Sequence, residues 1–436
     1  MNKVAVLNDS LAQRQEITLR AGRLRSVVID RITLVIGAAF LCSSTLLMAQ
    51  AGSLDPTFGN GGIVATENTN HTVATAIQSD GKILVAGSFP NNQGGVARYK
   101  INGNLDSSFG SGGFSVISGN PAFGIAIQSD EKIVIGAAGN LRLLVIRLNT
   151  NGSLDTTFGS GGIASFRQFG LFYNQLTGGV VVQPNGDILV AALNPANGNR
   201  AFVRLLTNGQ LDSTFGTGGA AGLIASPQTL ALLPSGKILV ASSSAFTSGG
   251  VTRYNSNGSL DTTFGVSGQA PSLGPASAIV PLSNDQFIVA GTLESAAPLR
   301  GTAPQGFALV RYNTNGTIDT TFGTRGGAVT PFPGNAYAAA FAVTVQSNGD
   351  IVVAGQTAVN NPVFGQEPSS FALARYTANG QLDTTFGTGG LVTTALGNGF
   401  AVVSALAIQA DGKIVAVGNG GGDTDDGFTL ARYLAQ

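Results

Sequence analysis

The sequence has 436 residues with 23 basic and 23 acidic side chains, and 43% of it is hydrophobic, which is too apolar for a disordered chain. Only 11% of the residues are charged and 62 are glycine, a composition typical of short strands joined by tight turns. His71 is the only histidine and lies in a polar run that we interpret as a solvated loop, so a multi-histidine metal site is excluded.

The first 51 residues have the three parts of a secretory signal. Six basic residues precede an apolar run at residues 32–48, which ends in Ala49-Gln50-Ala51, so we expect cleavage after Ala51. An uncleaved membrane anchor is the alternative, because the run is close to bilayer length. Removing residues 1–51 leaves 17 basic and 20 acidic residues and no cysteine. The domain at 52–436 is therefore predicted to be free of disulfides and to bind no nucleic acid.

A hairpin pattern follows this signal and occurs seven times. In residues 76–87, two apolar runs meet at Asp80-Gly81, a strong signal for a two-residue hairpin turn whose central residues both need positive φ. The pattern returns at residues 127–136, 181–191, 231–241, 279–291, 343–355 and 408–418.

A second pattern, Leu-Asp-x-x-Phe-Gly or its Ile variant, alternates with the hairpins at intervals of 49 to 64 residues. Between the two patterns lies a third strand, such as residues 96–99, and a turn such as Asn102-Gly103. With the Leu-Asp phrase taken as the fourth strand, each unit is a four-stranded antiparallel meander, and repeats of this length indicate propeller blades. The sequence therefore predicts an all-β, seven-bladed β-propeller, in which residues 54–64 complete the blade of residues 405–433.

These repeats resemble those of the delta-60-repeat β-propellers and, more loosely, the NHL-type propellers. The resemblance covers residues 54–433 and rests on the seven copies of the hairpin, third strand and Leu-Asp-x-x-Phe-Gly phrase. It implies a secreted or surface-exposed bacterial propeller with no reaction assigned to the repeat. Larger members continue beyond the last blade, and this sequence does not match them there.

The repeated Asp and Phe side chains are interpreted as structural. A residue that every blade needs usually serves the blade, and each Asp could pair with the Arg eight positions earlier, while each Phe is expected to be a wedge between adjacent blades. The aspartates are Asp55, Asp106, Asp155, Asp212, Asp261, Asp319 and Asp383. The phenylalanines are Phe58, Phe109, Phe158, Phe215, Phe264, Phe322 and Phe386.

One local cluster of acids could hold a metal. Asp423, Asp425 and Asp426 lie beside glycines and could bind Ca²⁺, but the cluster lacks the spacing and the closing Glu of a calcium loop. A solvated acidic loop is favoured, so no cofactor is expected and calcium is the alternative.

The meander gives the ring two different sides. The short Asp-Gly and Asn-Gly turns share one side, which we name the turn face; the long irregular segments between second and third strands and between blades share the other, the loop face. Binding usually resides on variable loops held by a rigid scaffold. The ligand-binding candidates assigned to the loop face are Arg142, Arg167, Tyr173, Arg200, Arg300, Arg325 and Tyr337.

We therefore expect a secreted, periplasmic or cell-surface monomer that binds or organises a protein or glycan of the cell envelope or exterior through its loop face, without catalysis. The alternative is an extracellular polysaccharide-acting enzyme with a carboxylate pair at the centre of the ring. Acids within about 5 to 10 Å of each other across the channel would favour the enzyme.

Overall fold

The computed structural model describes residues 50–117, 121–139, 142–167, 179–193, 200–222, 227–242, 250–271, 276–293, 306–334, 337–359, 368–397, 399–420 and 427–436. These residues form seven sheets, each of four antiparallel strands, which confirms the predicted all-β propeller of seven blades. In this part of the chain, no helix has the length and apolarity needed to cross a membrane.

The first strand, β1 (Ile63–Thr66), precedes the first complete blade. Blade 1 contains β2 (Thr72–Ile77), β3 (Ile83–Phe89), β4 (Gln93–Tyr99) and β5 (Phe114–Ile117), with a 3-10 turn at Pro90–Asn92. Blade 2 contains β6 (Ala122–Ile127), β7 (Ile133–Gly139), β8 (Arg142–Leu148) and β9 (Ile163–Phe166). Blade 3 contains β10 (Val180–Val182), β11 (Ile188–Leu193), β12 (Arg200–Leu205) and β13 (Ala220–Gly222).

Blade 4 contains β14 (Pro227–Leu232), β15 (Ile238–Ser242), β16 (Val251–Tyr254) and β17 (Gln269–Ala270). Blade 5 contains β18 (Ala276–Pro281), β19 (Phe287–Leu293), β20 (Gly306–Tyr312) and β21 (Gly327–Thr330). Blade 6 contains β22 (Tyr337–Val345), β23 (Ile351–Ala358), β24 (Ser369–Tyr376) and β25 (Leu391–Thr394). Blade 7 contains β26 (Val402–Ile408), β27 (Ile414–Asn419) and β28 (Phe428–Tyr433).

The ring closes through the two ends of the described chain. Blade 7 takes its fourth strand from β1, which pairs with β28 in a register that sets Ile63 opposite Ala431. The first strand of each blade contacts the first strands of both neighbouring blades, including β26 with β2, so these seven strands line a central channel. The predicted closure of the ring by the N-terminal strand is confirmed.

Two local predictions were wrong. The fourth strand begins after the glycines that follow the Leu-Asp-x-x-Phe-Gly phrase, and the phrase itself is a turn in which the Phe109 amide donates to the Asp106 carbonyl. The hairpin turns contain three residues, because the Gly81 amide donates to Gln78 and only Gly81 has positive φ. A type I turn closed by one left-handed residue explains this geometry, so Asp80 needs no unusual φ.

The hydrophobic core lies between blades as well as within them. One cluster contains Val415 and Leu430 of blade 7 together with Val85 and Ala97 of blade 1, and Phe58 lies within it. Each sheet therefore buries its two faces against its two neighbours, which a single four-stranded meander could not do alone.

Candidate functional site

The Leu-Asp-x-x-Phe-Gly phrase forms a clamp on the turn face. In every blade Nε of the third-strand Arg donates to Oδ2 of the repeat Asp, at 2.7 to 2.9 Å. The Asp follows the Arg by eight residues in blades 1 to 6, and in blade 7 Arg432 pairs with Asp55 from the start of the described chain. The same guanidinium lies over the ring of the repeat Phe, with 4.3 to 4.8 Å from Cζ to the ring centroid. Its Nη1 donates to a backbone carbonyl in the turn of the next blade. One arginine thus joins a turn, a ring and a neighbouring blade.

The clamp keeps its carboxylates ionised. Burial by itself raises the pKa of Asp155, but hydrogen bonds from Thr157 and the nearby Arg147 guanidinium outweigh it and lower the pKa to about 2. Hydrogen bonds from Thr57 and Lys413 and the charge of Arg432 likewise lower the pKa of Asp55 to about 2, against the effect of burial. A carboxylate so held is a poor general acid at neutral pH.

The repeat Phe side chains, all fully buried, lie at the blade junctions. A Cβ added to Gly103 of blade 1 would lie 2.9 Å from a ring carbon of Phe58. The corresponding turn glycines of the other blades lie equally close to the repeat Phe of the blade before them. The turn of one blade therefore rests on the aromatic ring of the blade before it, and glycine is needed there for both its φ of 87° and its lack of a side chain.

The loop-face end of the channel carries a different feature, a row of β-bulges. The pairing of first and second strands shifts by one residue in six blades. In four of them, which are adjacent around the ring, the extra residues are Val73, Ser277, Phe341 and Ser404. A bulge leaves one residue unpaired and redirects its side chain. These four positions are the bulge residues of blades 1, 5, 6 and 7.

The four bulge residues share one cavity of about 300 Å³. Its described lining consists of Thr72, Val73, Ser277, Phe341, Val402, Val403 and Ser404. None of these side chains is charged, and the Ser277 and Ser404 hydroxyls make no hydrogen bond to another described residue. Phe341 is 36% exposed although it lies on a first strand. The cavity combines an open aromatic surface with two available hydroxyl groups, which suits an uncharged ligand that carries hydroxyls.

One edge of this cavity is fixed by hydrogen bonds between blades 7 and 1. The Thr72 hydroxyl donates to the Gly418 carbonyl at 2.9 Å, and its amide donates to Asn419 Oδ1 at 3.0 Å. Asn419 Nδ2 in turn donates to the Asn70 carbonyl at 2.8 Å. The backbone beside Val73 is therefore held in place before any ligand arrives.

The loop-face candidates are only partly brought together. Arg142 begins β8, Tyr337 begins β22 and Arg167 is exposed after β9, so all three lie on the loop face, but none lines the cavity. Arg325 was misplaced: it lies in the turn before β21, on the turn face, with a φ of 57°. Arg200 begins β12, and its side chain is outside the description. Outside the described residues lie Tyr173, Arg300, Asp423, Asp425 and Asp426.

The described carboxylates are concentrated on the turn face. Glu67, after β1, is the one described acid on the loop face. Within the described ranges no three His, Cys, Asp or Glu side chains group as metal ligands. The remaining loop-face acids lie outside the described residues: Glu294, Glu367 and the acids of 423–426.

Sequence reasoning missed the cavity residues, although a signal for them exists. Each bulge residue lies four positions before the end of its first strand and is followed by Ala, as in Ser277-Ala278 and Phe341-Ala342. In blade 2 the equivalent Phe123 is followed by Gly and is buried between blades 2 and 3. Alignment of the repeats at that position would have singled out two aromatic residues, Phe123 and Phe341, and two hydroxyl residues, Ser277 and Ser404.

The comparisons with known proteins agree with the fold. Residues 78–109, 128–158, 183–215, 233–264, 301–322 and 346–386 match a domain of unknown function (DUF5122) beta-propeller. A catalytically inactive virginiamycin B lyase from Staphylococcus aureus, solved with quinupristin, is similar in structure, with 13% identity, a TM-score of 0.50 and coverage of 85% of this chain and 98% of that chain. At that identity the likeness shows the fold alone. No curated protein matches significantly in sequence.

Two further solved structures are similar at lower scores. A polysaccharide lyase of family PL25, an ulvan lyase, has 14% identity, a TM-score of 0.45 and coverage of 86% of this chain and 96% of that chain. Drosophila Plexin A in complex with Semaphorin 1b has 11% identity, a TM-score of 0.43 and coverage of 89% and 88%. The seven four-stranded blades and the six matched segments together support a β-propeller built from repeats.

Proposed function

We propose that this chain is an exported, non-catalytic propeller of the delta-60-repeat type that binds a neutral glycan at the loop-face mouth of its channel. The observation that carries the proposal is the convergence of Phe341, Ser277 and Ser404 on one uncharged cavity. The C–H face of a sugar ring packs against an aromatic ring, and its hydroxyls pair with side-chain hydroxyls.

The size and charge of the site support this ligand class. A cavity of about 300 Å³ has room for one or two sugar rings, not for a folded domain. The charged clamps lie on the turn face, where each Asp already has an Arg partner. An anionic ligand would find no described cation among the cavity side chains.

The leader motivates the proposed location. A basic flank, an apolar run and Ala49-Gln50-Ala51 would direct the chain to a secretory route. The protein would then work in the periplasm, at the cell surface or outside the cell, where envelope glycans are available.

A pull-down with envelope extract tests the proposal. Labelled protein is incubated with extract before and after protease treatment, and the soluble products are followed over time. We expect binding to survive proteolysis and to fall about tenfold, the equivalent of about 1.4 kcal/mol, in the Phe341→Ala variant. The matched control is Val116→Ala, which alters an exposed side chain on the outer edge strand β5 and should bind as the parent does.

The other outcomes are equally informative. Binding that disappears after proteolysis would identify a protein partner and overturn the glycan. Soluble fragments that accumulate with time would establish catalysis. Equal binding by Phe341→Ala and the parent would move the site away from the channel mouth.

A further inference from the structure

The blades are joined by a repeated backbone hydrogen bond on the turn face. In six junctions the amide of the Gly in Phe-Gly donates to the carbonyl of the Asn that precedes the turn glycine of the next blade, at 2.8 to 2.9 Å. The donor and acceptor pairs are Gly59 and Asn102, Gly110 and Asn151, Gly159 and Asn208, Gly216 and Asn257, Gly265 and Asn315, and Gly323 and Asn379.

The seventh junction has a different acceptor. The Gly387 amide donates at 2.7 Å to the carbonyl of Ala51, the residue expected to end the leader. Gly52 follows it as the turn glycine, with a φ of 83° against 87° for Gly103. The Gly52 amide donates to the Leu434 carbonyl at 2.8 Å, as the Gly103 amide does to Lys100. Both ends of the described chain therefore build this one turn.

When the repeats are aligned, the residue of blade 7 that corresponds to the junction Asn of the other blades is Gln436, not Ala51. Blade 6 reads Arg375-Tyr376-Thr377-Ala378-Asn379 before its turn glycine, and blade 7 reads Arg432-Tyr433-Leu434-Ala435-Gln436. The contacts keep this register, because Arg375 Nη1 donates to the Ala435 carbonyl as Arg311 Nη1 donates to Ala378. Gln436 is thus the counterpart of the junction Asn, yet it is exposed while Ala51 is buried.

We propose that removal of the leader by hydrolysis of the Ala51–Gly52 bond transfers the seventh junction from Ala51 to Gln436. Water adds across that peptide bond, so Ala51 leaves with a new carboxylate and Gly52 gains a free amine, which still donates to the Leu434 carbonyl. The main-chain oxygen of Gln436 then accepts the Gly387 amide. The inference rests on the proposed export. Removal of the leader would then allow Gln436, a residue of the seventh repeat, to take the junction position that Ala51 of the leader occupies before cleavage.

Two measurements test it. The N-terminal peptide of the exported protein is identified by mass spectrometry, and we expect it to begin at Gly52. A start at any other residue beyond the leader's apolar run overturns the transfer. A start at Met1 would instead mean that the chain was not processed, which contradicts the proposed export as well.

The second measurement isolates Gln436. Deletion of Gln436 should lower the melting temperature of the processed protein by about 2 °C or more, since an interblade hydrogen bond is lost. The same deletion should leave the unprocessed chain unchanged, because Ala51 holds the junction there; cell-free synthesis without membranes provides this chain. Equal effects on the processed and unprocessed proteins, or none on either, would overturn the proposal.

Discussion

Phe158 provides a direct test of how the ring is held together. Its ring is fully buried at the junction of blades 2 and 3, below Gly209 and 4.6 Å from the Arg147 guanidinium carbon. Truncation in Phe158→Ala should cost about 3–5 kcal/mol for the lost burial and the cavity, and about 0.5–2 kcal/mol more for the lost cation–π contact. We expect the free energy of unfolding to fall by about 4 kcal/mol or more.

Urea denaturation followed by far-UV circular dichroism and tyrosine fluorescence measures this loss, since the chain has no tryptophan. The matched control is Phe341→Ala, which removes the same atoms from a side chain 36% exposed in the channel. That variant should lose only about 1–2 kcal/mol. If Phe158→Ala loses no more than the control, the ring is not a wedge and the interblade reasoning is refuted.

Three further predictions concern charge, glycine and tyrosine. Because the folded-state pKa of Asp155 is about 2, the stability that its carboxylate provides is complete above the usual pKa near 3.8 and is lost as the pH falls toward 2. The melting temperature of Asp155→Asn should therefore change less steeply with pH, between pH 2 and about 5, than the melting temperature of the parent. Gly113→Ala should destabilise far more than Gly112→Ala in urea, because a Cβ at Gly113 would lie 2.4 Å from Leu105 Cγ whereas one at Gly112 meets nothing within 4 Å, and equal losses would contradict the packing. Burial raises the pKa of Tyr312 to about 12, so alkaline titration followed by absorbance should leave this phenol neutral at pH 11 unless the protein unfolds.

The fold was predictable because each repeat signals its own strands and turns. Residues 76–87 needed no tertiary information to be identified as a hairpin, and seven copies fixed the blade number. Turn geometry was less accessible, since Asp80-Gly81 is compatible with a two-residue and a three-residue loop and only the backbone hydrogen bonds distinguish them.

The site was less predictable because it depends on register. Charged and aromatic residues such as Arg142 and Arg325 were chosen for their chemistry, but a bulge that shifts the register by one residue decides which side chain enters the channel. Phe341 lies in an apolar strand that resembles the core strands, so its exposure could not be read from its neighbours.

The pairing of β1 with β28 also sets the order in which the molecule can fold. After β1 is synthesised it must wait for β28, because Ile63 and Ala431 are about 370 positions apart. Closing a loop of that length costs about 5 kcal/mol of chain entropy beyond a constant term. Until β28 emerges, the apolar surface of blade 1 that packs on Phe428 has no cover. A nascent chain of this topology therefore passes through a long aggregation-prone interval, which lasts until β28 has been made.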